Sequence, residues 1–494
     1  MNRLGFPGNT ITCEDGSHHG KTKSIPWPRY GTCEQKDDIF LRPVFLLLLS
    51  CRPWLSSNPT ASAPVFCRFR TRSAFFSLTT YIFLWWSSLK PIQMFILGQS
   101  FLPPHGGLNI AQAIMVVVVT GLIVTLVFSL NGMFGQRHGL AYAVQLRSSF
   151  GIRGARIPAV IRALPAIAWY GIGSWIGAMA VAGITQPLFG FGSVPVYFVL
   201  FQIFQTALAY FGIQPIKWFE SVMAVVIFAI TGWMMARLFG VHGVAIEQSW
   251  KFPGTWGLPF LFALNTSVGI LSTEMISISD LTRYVQNRPS TNWIGHVVGI
   301  NPPLIAMSVF GIMAASSVGT WDPIDALMSM SPGFGLSNVL LFFVTMAQMT
   351  TNLTINILPP ALILMDLTGI SWGVAVIVVG VAASMTFPWM LLDSGNFQFF
   401  IILYSAFLGP ILAIMLADYW ILNRQKVDLE GLFDTSTKSP FWFRSGFNPI
   451  AFISMIVGAG VALVFLNYSW MVGLIVTFPY YIFLMKRFNA RSMQ

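Results

Sequence analysis

Long apolar runs alternate with short polar joints along most of this chain. Runs near the ~20 residues that a helix needs to cross a bilayer fall at about 75–98, 108–132, 158–186, 193–213, 216–239, 257–279, 293–318, 336–365, 369–389, 397–422, 448–466 and 469–486. The pattern predicts an all-α membrane protein with twelve transmembrane helices. Two of the runs are interrupted at mid-depth. In the first, LWWSSLKPIQ (84–93) carries Ser87, Ser88, Lys90 and Pro91, and Pro91 disfavours helical geometry at Lys90. In the sixth, ALNTSVGILSTEMISISDLTRY (263–284) loses its apolar character at Gly269, Ser272 and Thr273, with Glu274 next. The breaks occupy matching positions of two five-span halves. Matching broken helices predict an inverted-repeat architecture with a binding site at the breaks.

Composition agrees. The 494 residues are 55% hydrophobic and 9% charged, against about 25% charged in a soluble domain. The net charge of +11 raises nucleic acid as a partner, but the distribution argues against it. With the N-terminus inside, Arg137, Arg147, Arg153, Arg156, Arg162, Lys217, Arg283, Arg288, Arg424, Lys426, Lys438 and Arg444 fall on inner connections, and only Arg237 and Lys251 on outer ones. This is the positive-inside bias of a membrane protein with both termini cytoplasmic.

Residues 1–72 differ from the rest, mixing Cys, Ser, Pro, Arg and His around one short apolar run, VFLLLL (44–49). They are expected to form a disordered cytoplasmic tail, with a wrongly assigned start or a shifted reading frame as the other reading. All 4 cysteines (Cys13, Cys33, Cys51, Cys67) lie there, without disulfide or zinc spacing. Residues 73–487 then form one twelve-helix domain, and 488–494 a cytoplasmic tail. No GxxxxGK[ST] phosphate loop occurs, which argues against ATP-driven pumping by this polypeptide. The 6 histidines (18, 19, 105, 138, 242, 296) do not cluster in the spans, which argues against a membrane-embedded enzyme.

The eighth span contains AQMTTNLTIN (347–356), six of whose side chains form hydrogen bonds. Polar groups at such depth mark a path or a site. On an α-helix at about 100° per residue, Ala347, Thr350, Thr351 and Thr354 share one stripe, and Gln348, Asn352 and Asn356 another. The first suits a dehydrated sodium ion. The second offers amides that donate and accept, matching the edge of a flat heterocycle. The competing reading is helix–helix adhesion. In the third span, AIAWYGIGSWIGAMA (166–180) sets Trp169 near mid-depth beside Gly171 and Gly173, a platform on which a planar ligand can stack.

Several of these segments resemble those of a known family. GQRHGLAYAVQLRSSFGIRGARIPAVIRALPAIAWYGI (135–172), SISDLTRY (277–284), AQMTTNLTIN and LGPILAIMLADYWIL (408–422) are similar, in order and spacing, to signatures of the nucleobase:cation symporter-1 family. The resemblance implies a leucine-transporter-type five-plus-five inverted repeat plus two C-terminal helices. It implies import of a planar nitrogen heterocycle (purine, pyrimidine, allantoin or hydantoin type) coupled to Na⁺ or H⁺, across the plasma membrane and without another cofactor. Trp169 matches the tryptophan that stacks on substrate, and Asn356 the asparagine that contacts it. Ala347, Thr350 and Thr351 match the sodium ligands, completed by first-span carbonyls near Ser87, Ser88 and Lys90. Two positions depart. Gly173 stands where many members have a substrate-binding glutamine, and Leu271 where hydantoin-type members have a second stacking tryptophan. Glu274 is then expected to read the ring or to form an ion pair with Lys90. A proton-coupled permease for a vitamin-type ring, or a non-transporting sensor on the same scaffold, are the alternatives.

Overall fold

The computed structural model describes residues 76–89, 91–211, 216–317, 321–330 and 333–488. The expected N-terminal tail, Lys90 and residues 489–494 lie outside the described residues, so the Lys90–Glu274 pairing does too. Among the described residues the structure is helical, with isolated bridges and no strand. Among the described residues seven helices are long and apolar enough to cross a membrane; three further apolar helices, Leu258–Gly269, Trp372–Ser384 and Pro449–Val464, are shorter.

The first expected span is two helices, α1 (Leu78–Ser88) and α2 (Pro91–Gln99). Ser77 caps α1 by accepting from Thr80 N. Leu89 leaves helical geometry at φ −80°, ψ 48°, as expected two residues before a proline. There follow α3 (Ile110–His138), a short buried helix α4 (Tyr142–Phe150), α5 (Arg156–Phe189), α6 (Val194–Phe211) and α7 (Ile216–Trp250). Asn109 and Gln112 form a reciprocal capping box on α3. Helix α7 runs well past the expected 216–239, with non-helical dihedrals at His242.

The sixth expected span is broken twice, into α8 (Leu258–Gly269), α9 (Ser272–Ile276) and α10 (Ser279–Thr282). The breaks centre on Leu271 (φ −98°, ψ 2°) and Ser277 (φ −103°, ψ 17°). Helix α11 (Pro289–Ser317) crosses α2 with the backbones in contact, because Gly98 faces Ser308 O and Gly311 faces Phe95 O. After α12 (Pro323–Met330), α13 (Phe334–Thr351) enters a π-helical turn at Asn352–Asn356 before α14 (Leu358–Thr368). The regular α-helix expected over 347–356 is therefore not what forms. Ile357 N bonds to Asn352 O, five residues back, at 3.0 Å. Pro359 and Pro360 follow directly, and they lack the N–H groups that would close α-type bonds onto Ile355 and Asn356. Such turns recur at functional sites. The chain ends with α15 (Trp372–Ser384), α16 (Pro388–Leu391), α17 (Ser394–Leu416), α18 (Leu429–Phe433), α19 (Pro449–Val464) and α20 (Ser469–Arg487).

Candidate substrate and ion site

The interrupted helices and the π turn place polar side chains together inside the bundle. Gln348 on α13 is fully buried and meets Gln93 on α2, whose Nε2 donates to Gln348 Oε1 at 2.9 Å. The other ends of this amide pair, Gln93 Oε1 and Gln348 Nε2, are buried and have no hydrogen-bond partner among the described residues. The sequence pattern alone does not single out Gln93, although it closes the stretch that contains the first break. The available signal was an amide two residues past a mid-span proline.

Ala347, Thr350 and Thr351 are all buried. Thr350 Oγ1 donates to Ala347 O at 3.1 Å, which leaves its oxygen lone pairs available. Thr351 Oγ1 is buried without a hydrogen-bond partner among the described residues. Thr354 turns back to its own helix, donating to Thr350 O at 2.8 Å. At the first break Ser87 Oγ donates to Leu84 O at 3.0 Å, and Ser88 lies beside it, buried.

The amides of the second stripe are drawn toward α5. Asn352 Nδ2 donates to Tyr170 O at 3.1 Å and Ser174 Oγ at 3.2 Å, and Asn356 Nδ2 donates to Asn352 Oδ1 at 2.8 Å. Gly173 makes room for this. A Cβ there would lie 2.9 Å from Asn352 Nδ2 and 3.0 Å from its Cγ. Trp169, one turn away on α5, is fully buried. Phe397 and Phe400 of α17 meet it edge-on, at centroid distances of 5.9 and 5.4 Å. Leu271, also fully buried, forms the N-terminal boundary of α9. Glu274 sits on α9, and its Oε2 accepts from Thr273 Oγ1 at 2.7 Å. Arg162 braces the same helix, donating through Nε to Thr273 O and to Ser277 Oγ at 3.0 Å. In the sequence Arg162 reads only as an inner positive charge. Its place seven residues before Trp169, on the buried side of α5, is what distinguishes it.

The model of a family of permeases for cytosine/purines, uracil, thiamine and allantoin matches residues 75–484. The chain belongs to that family. This is a family of multi-pass membrane permeases. Among its relatives, the hydantoin permease of Microbacterium maritypicum is 28% identical over 355 residues, covering 69% of this chain and 72% of the relative. The allantoin permease of Bacillus subtilis (strain 168) is 26% identical over 422 residues, covering 77% and 84%. The solved structure of Mhp1, a nucleobase-cation-symport-1 family transporter, in a closed conformation with bromovinylhydantoin bound, matches with a TM-score of 0.78 at 24% identity, over 87% of this permease and 96% of that chain. A substrate-bound, outward-open Na⁺-coupled sialic acid symporter matches with a TM-score of 0.63 at 12% identity, over 90% and 96%. These likenesses establish the fold of the permease as that of this transporter class.

Proposed function

We propose that this permease is a secondary active symporter that imports a planar nitrogen heterocycle of the hydantoin, allantoin, uracil or purine type, driven by sodium. The observation that carries the reading is a set of buried polar atoms without partners among the described residues, Gln93 Oε1, Gln348 Nε2 and Thr351 Oγ1. They lie on the helix that follows the first break and on the helix that ends in the π turn. Leaving such an atom unsatisfied costs about 1–3 kcal/mol, and a ligand that meets it removes that cost. The amide pair offers one acceptor and one donor, which suits a ring edge carrying N–H beside C=O. Thr351, with Ala347 and Thr350, offers hard oxygen ligands to a sodium ion, and carbonyls released at the first break complete its shell.

The scaffold fits this reading. Each expected five-span half, one beginning with α1 and the other with α8, opens with a broken helix, which supports an inverted repeat. With two further C-terminal helices the reading is a twelve-span permease, and the inner bias of positive charge supports cytoplasmic termini at the plasma membrane.

Trp169 is the proposed stacking surface, held by the edge-on contacts of Phe397 and Phe400. Trp169→Ala should weaken binding by roughly 1–3 kcal/mol, the scale of base–aromatic stacking. Tryptophan fluorescence or calorimetry on the purified protein reads this, and unchanged affinity would remove the stacking role. The function itself is tested by uptake of radiolabelled uracil, allantoin and hydantoin into proteoliposomes. Saturable uptake that collapses when the sodium gradient is removed at constant pH is the expected result. Uptake that follows the proton gradient would replace sodium by protons, and no uptake of any ring would overturn the reading.

A further inference from the structure

Hydrogen-bond polarity runs in one direction from α5 to the π turn, and a backbone carbonyl sets it. Tyr170 O is a backbone carbonyl and only accepts. Ser174 Oγ spends its single hydrogen on Tyr170 O at 2.8 Å, so toward its other neighbours it too only accepts. It receives Gln205 Nε2 from α6 at 3.1 Å and Asn352 Nδ2 at 3.2 Å. Asn352 therefore has to turn its nitrogen toward α5, where Tyr170 O takes its second hydrogen at 3.1 Å. Its oxygen is left facing Asn356, and an oxygen there admits only the nitrogen of Asn356, at 2.8 Å. Asn/Gln orientations are usually free choices within a network. Here a main-chain carbonyl and a committed hydroxyl fix both amides in turn.

The far corner of the Asn356 amide is then its oxygen. Gly183 meets Leu341 and Gly173 meets Asn352, so α13 runs antiparallel to α5. At the ~1.5 Å helical rise per residue, Asn356 then falls near the level of Trp169. We propose that Asn352, Ser174 and Gln205 are positioning residues that hold Asn356 with its oxygen toward the bound ring. The permease thereby selects rings that present an N–H at that edge over rings that present a lone pair. Gly173 belongs to the same device, since any side chain there meets the Asn352 amide. The proposal rests on the heterocycle reading above and adds to it the polarity of one ring edge.

The probes are uracil and hydantoin, each compared with isosteres in which one ring N–H is replaced by a ring oxygen. Binding is measured by calorimetry on full-length protein in detergent, with thermal unfolding as the check on folding. For wild type, replacing the N–H that faces Asn356 should weaken binding at least about tenfold, because two acceptor oxygens then face each other without a proton. In Asn352→Ala the Asn356 amide is free to turn, and the preference should shrink to within about threefold. Gly173→Ala, which displaces the Asn352 amide without removing it, should shrink it likewise. A purely structural role would weaken parent and isostere alike and leave their ratio unmoved. Wild type that binds all isosteres equally, or a folded Asn352→Ala or Gly173→Ala that keeps the wild-type ratio, overturns the proposal and leaves the heterocycle reading standing. Wild type that binds no probe overturns both.

Discussion

Gly311→Leu is expected to yield no folded permease. At the crossing of α2 and α11 a Cβ on residue 311 would run into Phe95 O, and a Cβ on Gly98 into Ser308 O, with Ile312 N 3.0 Å away. The obstacles are main-chain atoms on both sides, so no rotamer change relieves them, and the helices have to separate. Overpacking a core costs about 1–3 kcal/mol, more where the neighbours cannot move. Gly311→Ala belongs at the upper end of that range or above it, and leucine well beyond. Net stabilities are only ~5–15 kcal/mol. The loss also reaches the site, because α2 is nine residues long and carries Gln93. Size-exclusion profiles and thermal unfolding of Gly311→Ala, Gly311→Leu and Gly460→Ala are the measurement. Gly460 has open space around its would-be Cβ, so alanine there should be neutral or, through helix propensity, stabilising by up to about 1 kcal/mol. If Gly311→Ala melts with the parent, the close crossing does not exist.

The helix breaks were legible in the sequence because their causes are local. Pro91 acts on its immediate neighbour, and Gly269, Ser272 and Thr273 weaken one turn. The second interruption, at Ser277, carries no such mark and was not anticipated. The π turn is hidden in the sequence for a related reason. Hydrophobic and polar stripes assume a constant angle per residue, whereas the pitch at Asn352 changes where two prolines downstream withhold their donors. The stripes still grouped Gln348, Asn352 and Asn356 usefully, but not their partners. Those lie on other helices, and two of them, Gln93 and the Tyr170 carbonyl, are visible only once α2 and α5 are in place. A backbone carbonyl leaves no trace in side-chain chemistry. For the same reason the departure at Gly173 reads in the sequence as a lost substrate contact, while in the structure it is the space that Asn352 fills.

Thr351→Ala is expected to remove sodium stimulation of uptake while leaving ring binding in sodium-free buffer largely intact. The hydroxyl is fully buried and has no hydrogen-bond partner among the described residues, an arrangement that costs about 1–3 kcal/mol unless something meets the oxygen. On the proposed sodium reading, its neighbours would supply the rest of a hard-ligand set. Thr350 donates its proton to Ala347 O and so turns lone pairs, not hydrogen, to its surroundings. The non-helical geometry at Leu89 frees carbonyls at the end of α1. Sodium prefers such oxygens, and in this fold class unwound carbonyls serve coupling ions in this way. Loss of outer-shell partners typically costs 10–100-fold in metal affinity. A direct ligand should sit at the top of that range, so half-saturating sodium should rise on the order of 100-fold. Thr351→Ser keeps the oxygen and should restore most of the dependence. Thr351→Val keeps the shape without the oxygen and should behave like alanine. That contrast separates an ion ligand from a packing methyl. Uptake against external sodium at constant pH, in proteoliposomes matched for folded protein, decides it. An unchanged sodium curve in both Thr351→Ala and Thr351→Val would mean that the ion binds elsewhere, or that protons drive this permease instead.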